Sequence, residues 1–256
     1  MNTRDVRFAR LALALGDAAV THLKNSRVAV IGIGGVGCAA AEILARSAVG
    51  HLVLVDVDTY QQTDINRQLF AVESTLGRPK VDAAAERLRD INPAIRIDTH
   101  HAFFHADTAD SLLIPAPDFV IDAIDAVLPK VELIAYCITH DIPVISVMGA
   151  AVRRDYSQIH VADLKKTHGC PLARVIRRRL KRRGITRGVP CVFSSEPGPP
   201  LIPPEDITDD ALRTGHTRGR KRPVLGSYGP FITIFGILAA DYVIRKLSRN
   251  YDIQEA

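Results

Sequence analysis

Val28-Ala29-Val30-Ile31-Gly32-Ile33-Gly34-Gly35-Val36-Gly37 reads as a buried strand, a glycine turn and the start of an alanine-rich helix, 36–48. Glycines allow the backbone close to a phosphate or ribose, and a helix N-terminus favours negative charge there. G-x-G-x-x-G alone also describes a tight turn with no ligand, so the following segment carries the weight. A second apolar strand, Leu52 to Val55, ends in Asp56-Val57-Asp58. Asp56 stands at about the distance at which a dinucleotide-binding domain holds ribose hydroxyls. A nicotinamide enzyme needs nothing more, yet Thr63-Asp64-Ile65-Asn66-Arg67-Gln68 and Pro79-Lys80 follow. Arg67 can fork onto phosphate oxygens and Lys80 can act as a point charge on another. The plainer reading of Arg67 is a surface ion pair with Asp58 or Asp64.

Strand candidates continue at 95–98, 118–122 and 143–148, with helices at 79–91 and 127–140 and a helical N-terminal segment reaching about Lys24. Such alternation implies right-handed crossovers and a Rossmann-like, mostly parallel α/β sheet flanked by helices. Beyond residue 150 the pattern loosens into a C-terminal extension. It holds a strand at 157–163, a helix from Pro171 to about Arg183, a proline- and charge-rich loop over 194–224, and a last helix near 230–248. Residues 1–256 are therefore expected to form one domain, with a nucleotide-binding half (1–150) and a substrate-side half (151–256) whose loop 194–224 is mobile and suited to a lid.

The 256 residues are 47% hydrophobic and 24% charged, with net charge +5, the composition of an ordinary globular protein with a basic bias. Arg4, Asp5, Arg7 and Arg10 interrupt the first residues, so no secretory leader is expected, and a cytoplasmic setting follows. The most apolar run, Leu225 to Ala240, contains Pro230 and ends at Asp241. It reads as a buried helix, with no stable membrane insertion. Cys38, Cys137, Cys170 and Cys191 form no C-x-x-C pair, so no zinc ribbon is indicated. Cys170 precedes a helix start, where a thiol can become reactive; the plainer reading is an incidental half-exposed thiol. Cys191, in an apolar strand-like context, is core or site lining.

The glycine turn, Asp56-Val57-Asp58, Asn66-Arg67-Gln68, Lys80 after Gly77-Arg78-Pro79, and Asp122-Ala123-Ile124-Asp125 occur in the order that resembles the ubiquitin-activating-type, ThiF-like adenylyltransferase superfamily. In such enzymes a carboxylate attacks the α-phosphorus of ATP and pyrophosphate leaves. The resemblance implies that Gly32, Gly34, Gly35, Asp56, Asp58, Asn66, Arg67, Gln68 and Lys80 surround ATP and that Asp125 supports Mg²⁺. It further implies that Arg10 reaches into the partner's site of a homodimer. Asp125 also suits capping of the helix that follows it. Ala126 departs from the asparagine usual after that aspartate.

Gln158 to Leu164, Lys166-Thr167, Pro171-Leu172-Ala173 and Cys191 to Glu196 are similar to the tRNA threonylcarbamoyladenosine dehydratases. That likeness implies ATP-dependent dehydration of a modified adenosine in tRNA. A superfamily alternative is activation of the C-terminus of a ubiquitin-like sulfur-carrier protein, with a sulfur-relay protein as partner. Residues 174–187 are densely basic, and a second basic cluster runs from Arg213 to Arg222. Few acids accompany them, which suggests a polyanion such as tRNA, with Arg177, Arg178, Lys181 and Arg182 as phosphate contacts. Base-stacking aromatics are few; Tyr228 and Phe193 are the candidates.

Overall fold

A computed structural model describes residues 5–197 and 225–248. The central sheet has seven strands: β1 (Arg27–Ile31), β2 (His51–Asp56), β3 (Arg96–His101), β4 (Phe119–Asp122), β5 (Val144–Val147), β6 (Ile159–Asp163) and β7 (Pro190–Ser194). Their order across the sheet is β3-β2-β1-β4-β5-β7-β6. Strands β1 to β5 and β7 are parallel, and only β6 runs antiparallel, pairing Ile159 with Ser194 and Asp163 with Pro190. The inner strands are buried along almost their whole length and largely apolar, because helices cover both faces and leave no wet side to alternate toward. Five of the six sequence-expected strands have ends within two residues of the observed ones, and the strand expected at 95–98 runs three residues further, to His101.

The helices are α1 (Ala9–Leu15), α2 (Asp17–Asn25), α3 (Gly35–Arg46), α4 (Lys80–Ile91), α5 (Ala109–Leu113), α6 (Val127–Thr139), α7 (Pro171–Lys181) and α8 (Gly229–Ser248). The two faces hold separate cores. One gathers Val28, Val30, Leu52, Leu54 and Ile121 with α3, α4 and α8. The other gathers Ala29, Ile31, Val53 and Val120 with α5 and α6. A third cluster joins α6 and α7 to Cys191 and Phe193 of β7. Opposite-face alternation along each strand produces this division.

The apolar run ending at Ala240 belongs to α8, which lies along α3. Contact is close because the facing residues are small: a Cβ on Gly236 would sit 2.3 Å from the Val36 carbonyl oxygen and 2.8 Å from the Ala39 methyl. Phe231 and Phe235 are fully buried there, and each ring contributes about 1.5–3 kcal/mol by leaving water. No described helix is long and apolar enough to cross a membrane. Of the expected loop 194–224, Ser194 closes β7. Ser195 N–H donates to the Gln158 carbonyl at 3.0 Å, and Glu196 accepts from the Arg154 and Asp155 amides at 2.9 Å each. The start of that segment is thus held in place, while 198–224, including the second basic cluster, lies outside the described residues.

Candidate active site

The carboxyl ends of β1, β2 and β4 meet at one edge of the sheet, and the chain loops there carry most of the singled-out residues. Gly32 follows β1 with φ +93° and donates its N–H to the Val55 carbonyl at 2.8 Å. A side chain there would be strained, and its Cβ would lie 2.9 Å from the Ala123 oxygen. Gly34, the N-cap of α3, has nothing within 4 Å of the position a Cβ would take, so an approaching group meets bare backbone. Gly35 differs: its missing Cβ makes room for the protein itself, Ile232 at 2.6 Å and the Arg67 carbonyl at 2.9 Å. The glycine read from sequence as an approach to nucleotide is required by packing.

Asp56, at the end of β2, fixes the turn opposite. Its Oδ2 accepts from Ile33 N–H at 2.6 Å and its Oδ1 from Asp58 N–H at 2.8 Å. Burial pushes its pKa up, against the pull of Lys80 and those two amides. Lys80 opens α4, 6% exposed, with Nζ 3.2 Å from Asp58 Oδ2 and 6.0 Å from the Tyr60 ring centroid. Burial alone would lower the Lys80 pKa, but Asp56, Asp58 and Asp64 outweigh it and hold it above the ordinary lysine range. Lys80 is therefore a fixed cation at neutral pH.

Arg67 stands beside it in the loop after β2. Its guanidinium donates to the Thr63 carbonyl at 2.6 Å, to Asn66 Oδ1 at 3.0 Å and to Asp64 Oδ1 at 3.0 Å. The ion pair with Asp64 weighed from sequence exists, but it is no surface pair, since Asp64 is 5% exposed. Asp64 also takes the Gln61 amide at 3.0 Å and the Gln68 side-chain amide at 2.7 Å. It is the hub that orients Arg67, and sequence reasoning gave it no such role. Gln68 is itself buried and braces Asp64. Asn66 ties the loop to the start of α8 through the Ser227 carbonyl at 3.2 Å.

Asp125 is exposed on the loop between β4 and α6, at the same edge. The N-cap of α6 is Ala126, whose own side chain supplies no cap, and Asp125 directly precedes it. Beneath it lies an arrangement the sequence did not suggest. Asp122 and Lys130 are both fully buried, with Nζ–Oδ2 2.7 Å, and Ser146 Oγ donates to the same oxygen at 2.6 Å. The other carboxylate oxygen accepts the Ile124 N–H at 3.2 Å, which shapes the loop that presents Asp125. Burial drives the Asp122 pKa up, opposed by Lys130 and Ser146.

Arg10 is not part of this cluster within its own chain. It is exposed on α1, whose main packing partner is α2. Arg178 and Lys181 on α7 and Arg182 at its C-cap are exposed, whereas Arg177 is half-buried. Its Nη1 donates to the Leu164 and Thr167 carbonyls at 3.3 and 2.8 Å and to the Thr167 hydroxyl, pinning α7 to the preceding turn. A helix with basic residues on every side hides which of them faces inward. All four cysteines are free and buried. Cys170 is 3% exposed, not half-exposed, and its sulfur faces the Ala173 amide at 3.5 Å as the N-cap of α7. Burial pushes the Cys191 thiol up to about 12. Phe193 is 2% exposed and cannot serve as a stacking surface, whereas Tyr228 is 44% exposed.

The ThiF family model matches residues 8–255. The chain is 39% identical over 249 residues to the tRNA threonylcarbamoyladenosine dehydratase of Bacillus subtilis (strain 168), covering 97% of each chain. Crystal structures of the E. coli tRNA N6-threonylcarbamoyladenosine dehydratase in complex with AMP and with ATP superpose with TM-scores of 0.83 and 0.82. Both are 34% identical to this chain and cover 95% of it and 94% of their own. The molybdopterin-synthase adenylyltransferase of E. coli (strain K12) is 38% identical over 148 residues, 58% of each chain.

Proposed function

Since the chain belongs to the ThiF family, we propose that it is an ATP-dependent adenylating enzyme that dehydrates N6-threonylcarbamoyladenosine in tRNA. The observation that carries this reading is the likeness to tRNA threonylcarbamoyladenosine dehydratases over 97% of both chains, joined to a site in which Arg67 and Lys80 stand at the nucleotide edge of the sheet.

The chemistry asks for what this edge offers. The carboxylate of the modified adenosine is already a nucleophile at neutral pH, so no enzyme base is required. Its oxygen forms a bond to the α-phosphorus as the bond to the bridging oxygen breaks and pyrophosphate leaves. The barrier is the approach of two anions and the charge on the leaving group, which fixed cations relieve. Lys80 and Arg67 are those cations, held in place by Asp58 and Asp64. Gly34 leaves the backbone open to the phosphates, and Asp56 takes the ribose hydroxyls. An atom tethered in the same nucleoside then bonds to the activated carbonyl carbon and gives its proton to solvent, the ring closes, and the bond from that carbon to the phosphate oxygen breaks, so that AMP leaves carrying the oxygen of the lost water. Asp125, an exposed carboxylate at this edge, suits a hard cation and would hold Mg²⁺, which supplies charge neutralisation when bound.

The enzyme works as a homodimer in which Arg10 of each protomer completes the other's site. Supporting this, α1 buries none of its residues and leaves Leu13 78% exposed, with Val6 just before it at 86%. Residues 1–256 act as one adenylation domain whose second half receives the acceptor. The exposed Arg178, Lys181 and Arg182 contact the tRNA backbone, in a segment, 164–187, that has ten basic residues and no acid. Buried free thiols and a tRNA substrate suit the cytoplasm. The second reading, activation of a sulfur-carrier protein alongside a sulfur-relay partner, draws on matches that cover only 58% or less of those relatives, and the chain has no C-x-x-C pair.

The test is mass analysis of nucleosides after tRNA bearing threonylcarbamoyladenosine is incubated with protein and ATP. Loss of about 18 mass units from that nucleoside, the mass of one water, dependent on ATP and accompanied by AMP, is the expected result. Formation of AMP only with a carrier protein, and an unchanged nucleoside, would replace this reading with the second.

A further inference from the structure

Two exposed tyrosines meet at the mouth of this site. Tyr156 and Tyr228 are 45% and 44% exposed, and both approach the N-terminal end of α8. The chain has six tyrosines and no tryptophan, so a pair on one rim is a large share of its free ring surface. Their placement is set by the candidate machinery. Ser227, just before Tyr228, accepts from Asn66, and Gly229, just after it, packs against the Asn66 carbonyl at a distance, 2.4 Å from the position of a Cβ, that admits no side chain. Tyr228 is thereby locked next to the loop that carries Arg67. Tyr156 is held from the other side, stacked at 5.8 Å and 22° on the buried Phe231 of α8. Glu196 fixes its backbone approach by taking the Arg154 and Asp155 amides. Arg154, two residues before Tyr156, is exposed, and Arg67, on the loop tied to Ser227, is partly exposed.

Fixed, solvent-facing rings flanked by arginines are the surface on which unpaired RNA bases stack, with the cations serving the connecting phosphates. We propose that Tyr156 and Tyr228 form a stacking platform for an unpaired base of the RNA substrate, at or next to the reacting nucleoside, and so present its carboxylate to the nucleotide edge. This rests on the RNA reading of the site. The platform recognises a base through ring surface.

The experiment compares Tyr228→Ala, Tyr228→Phe, Tyr156→Ala and Tyr156→Phe for KM toward tRNA bearing threonylcarbamoyladenosine, and for ATP affinity by calorimetry without RNA. Loss of one stacking ring is expected to raise KM for tRNA about tenfold in each alanine variant. The phenylalanine variants keep the ring and stay within about twofold of the parent, and ATP affinity is unchanged in all four. Alanine variants with the parent's KM, phenylalanine variants as impaired as alanine, or ATP affinity falling in step with tRNA would each overturn the platform. Tyr228→Ala leaves the Phe231 contact intact, so it decides the matter if Tyr156→Ala fails to fold. If the parent protein itself neither binds nor converts tRNA, the RNA reading fails, and that outcome is seen before any variant is made.

Discussion

Replacing Lys130 by methionine should be among the costliest single changes outside the nucleotide groove. The ammonium is fully buried and makes contacts of 2.7 Å to Asp122 Oδ2, 3.4 Å to the Asp122 carbonyl and 3.3 Å to Ser146 Oγ. Methionine fills similar space but leaves the Asp122 carboxylate with only the Ser146 hydroxyl and the Ile124 amide. Breaking a buried pair from one side costs about 3–5 kcal/mol, because the remaining charge stays uncompensated. For a chain of 256 residues the unfolding entropy is about 0.5 kcal/mol/K. The melting temperature, followed by circular dichroism at pH 7.5, should therefore fall by roughly 6–9 °C. The loss should shrink toward pH 5. With its cation gone, Asp122 has a folded-state pKa raised by burial, so the folded variant binds a proton more readily than the unfolded chain, and stability rises as pH falls. Replacing both partners, Asp122→Leu with Lys130→Met, should recover most of the deficit, because no charge is then left unpaired. A single variant melting within about 2 °C of the parent, well under the expected cost, or a double variant as unstable as the single one, would refute this account of the buried pair.

Arg67→Ala and Asp125→Ala should each abolish tRNA-dependent exchange of pyrophosphate into ATP while leaving the circular dichroism spectrum intact; exchange at the parent rate in either would remove that residue from the site. Asp64→Ala should lower exchange as well, since Arg67 loses its anchor, whereas Asp64→Asn, which keeps an acceptor at Oδ1, should lower it less. The thiols give a signature at high pH. Cys38 is held at about 11 and Cys137 and Cys191 at about 12, against 9.0 for an ordinary thiol. The unfolded chain loses those protons first, so these thiols stabilise the fold fully below pH 9, and that contribution drains away between pH 9 and 12 at up to about 1.4 kcal/mol per pH unit for each. Urea titrations at pH 8 and 10 measure the slope, and Cys137→Ala should reduce it; an equal slope would count against the burial explanation.

The strands were legible because both-sided burial leaves uninterrupted apolar runs, as at Val28 to Ile31 and Leu52 to Val55. The nucleotide edge was legible because Arg67 and Lys80 are unusual additions to a glycine-turn unit. What escaped notice were the groups that hold those residues. Asp64 looked like a surface partner because burial in a short loop has no periodicity to betray it. The burial of Lys130 had no local signal, since its partners Asp122 and Ser146 come from two neighbouring strands. Arg177 was indistinguishable from its basic neighbours, because a run of arginines carries no mark of which one turns inward. Cys170 was misjudged for a similar reason: its exposure is set by β7 and α6 packing over α7, which no local pattern reports.

The seam between α3 and α8 joins residues two hundred positions apart, Val36 and Gly236. On the ribosome, the first strand–turn–helix unit emerges long before its cover is synthesised. Until α8 arrives, the small-residue face of α3 stays bare, and the Asn66–Arg67 loop lacks the Ser227 and Gly229 contacts that brace it. Such distant closure is slow, and it leaves the nascent chain exposed to aggregation or in need of a chaperone. A truncated product ending before α8 would expose that apolar groove and could not assemble the nucleotide edge, so incomplete chains are kept from acting as partial enzymes.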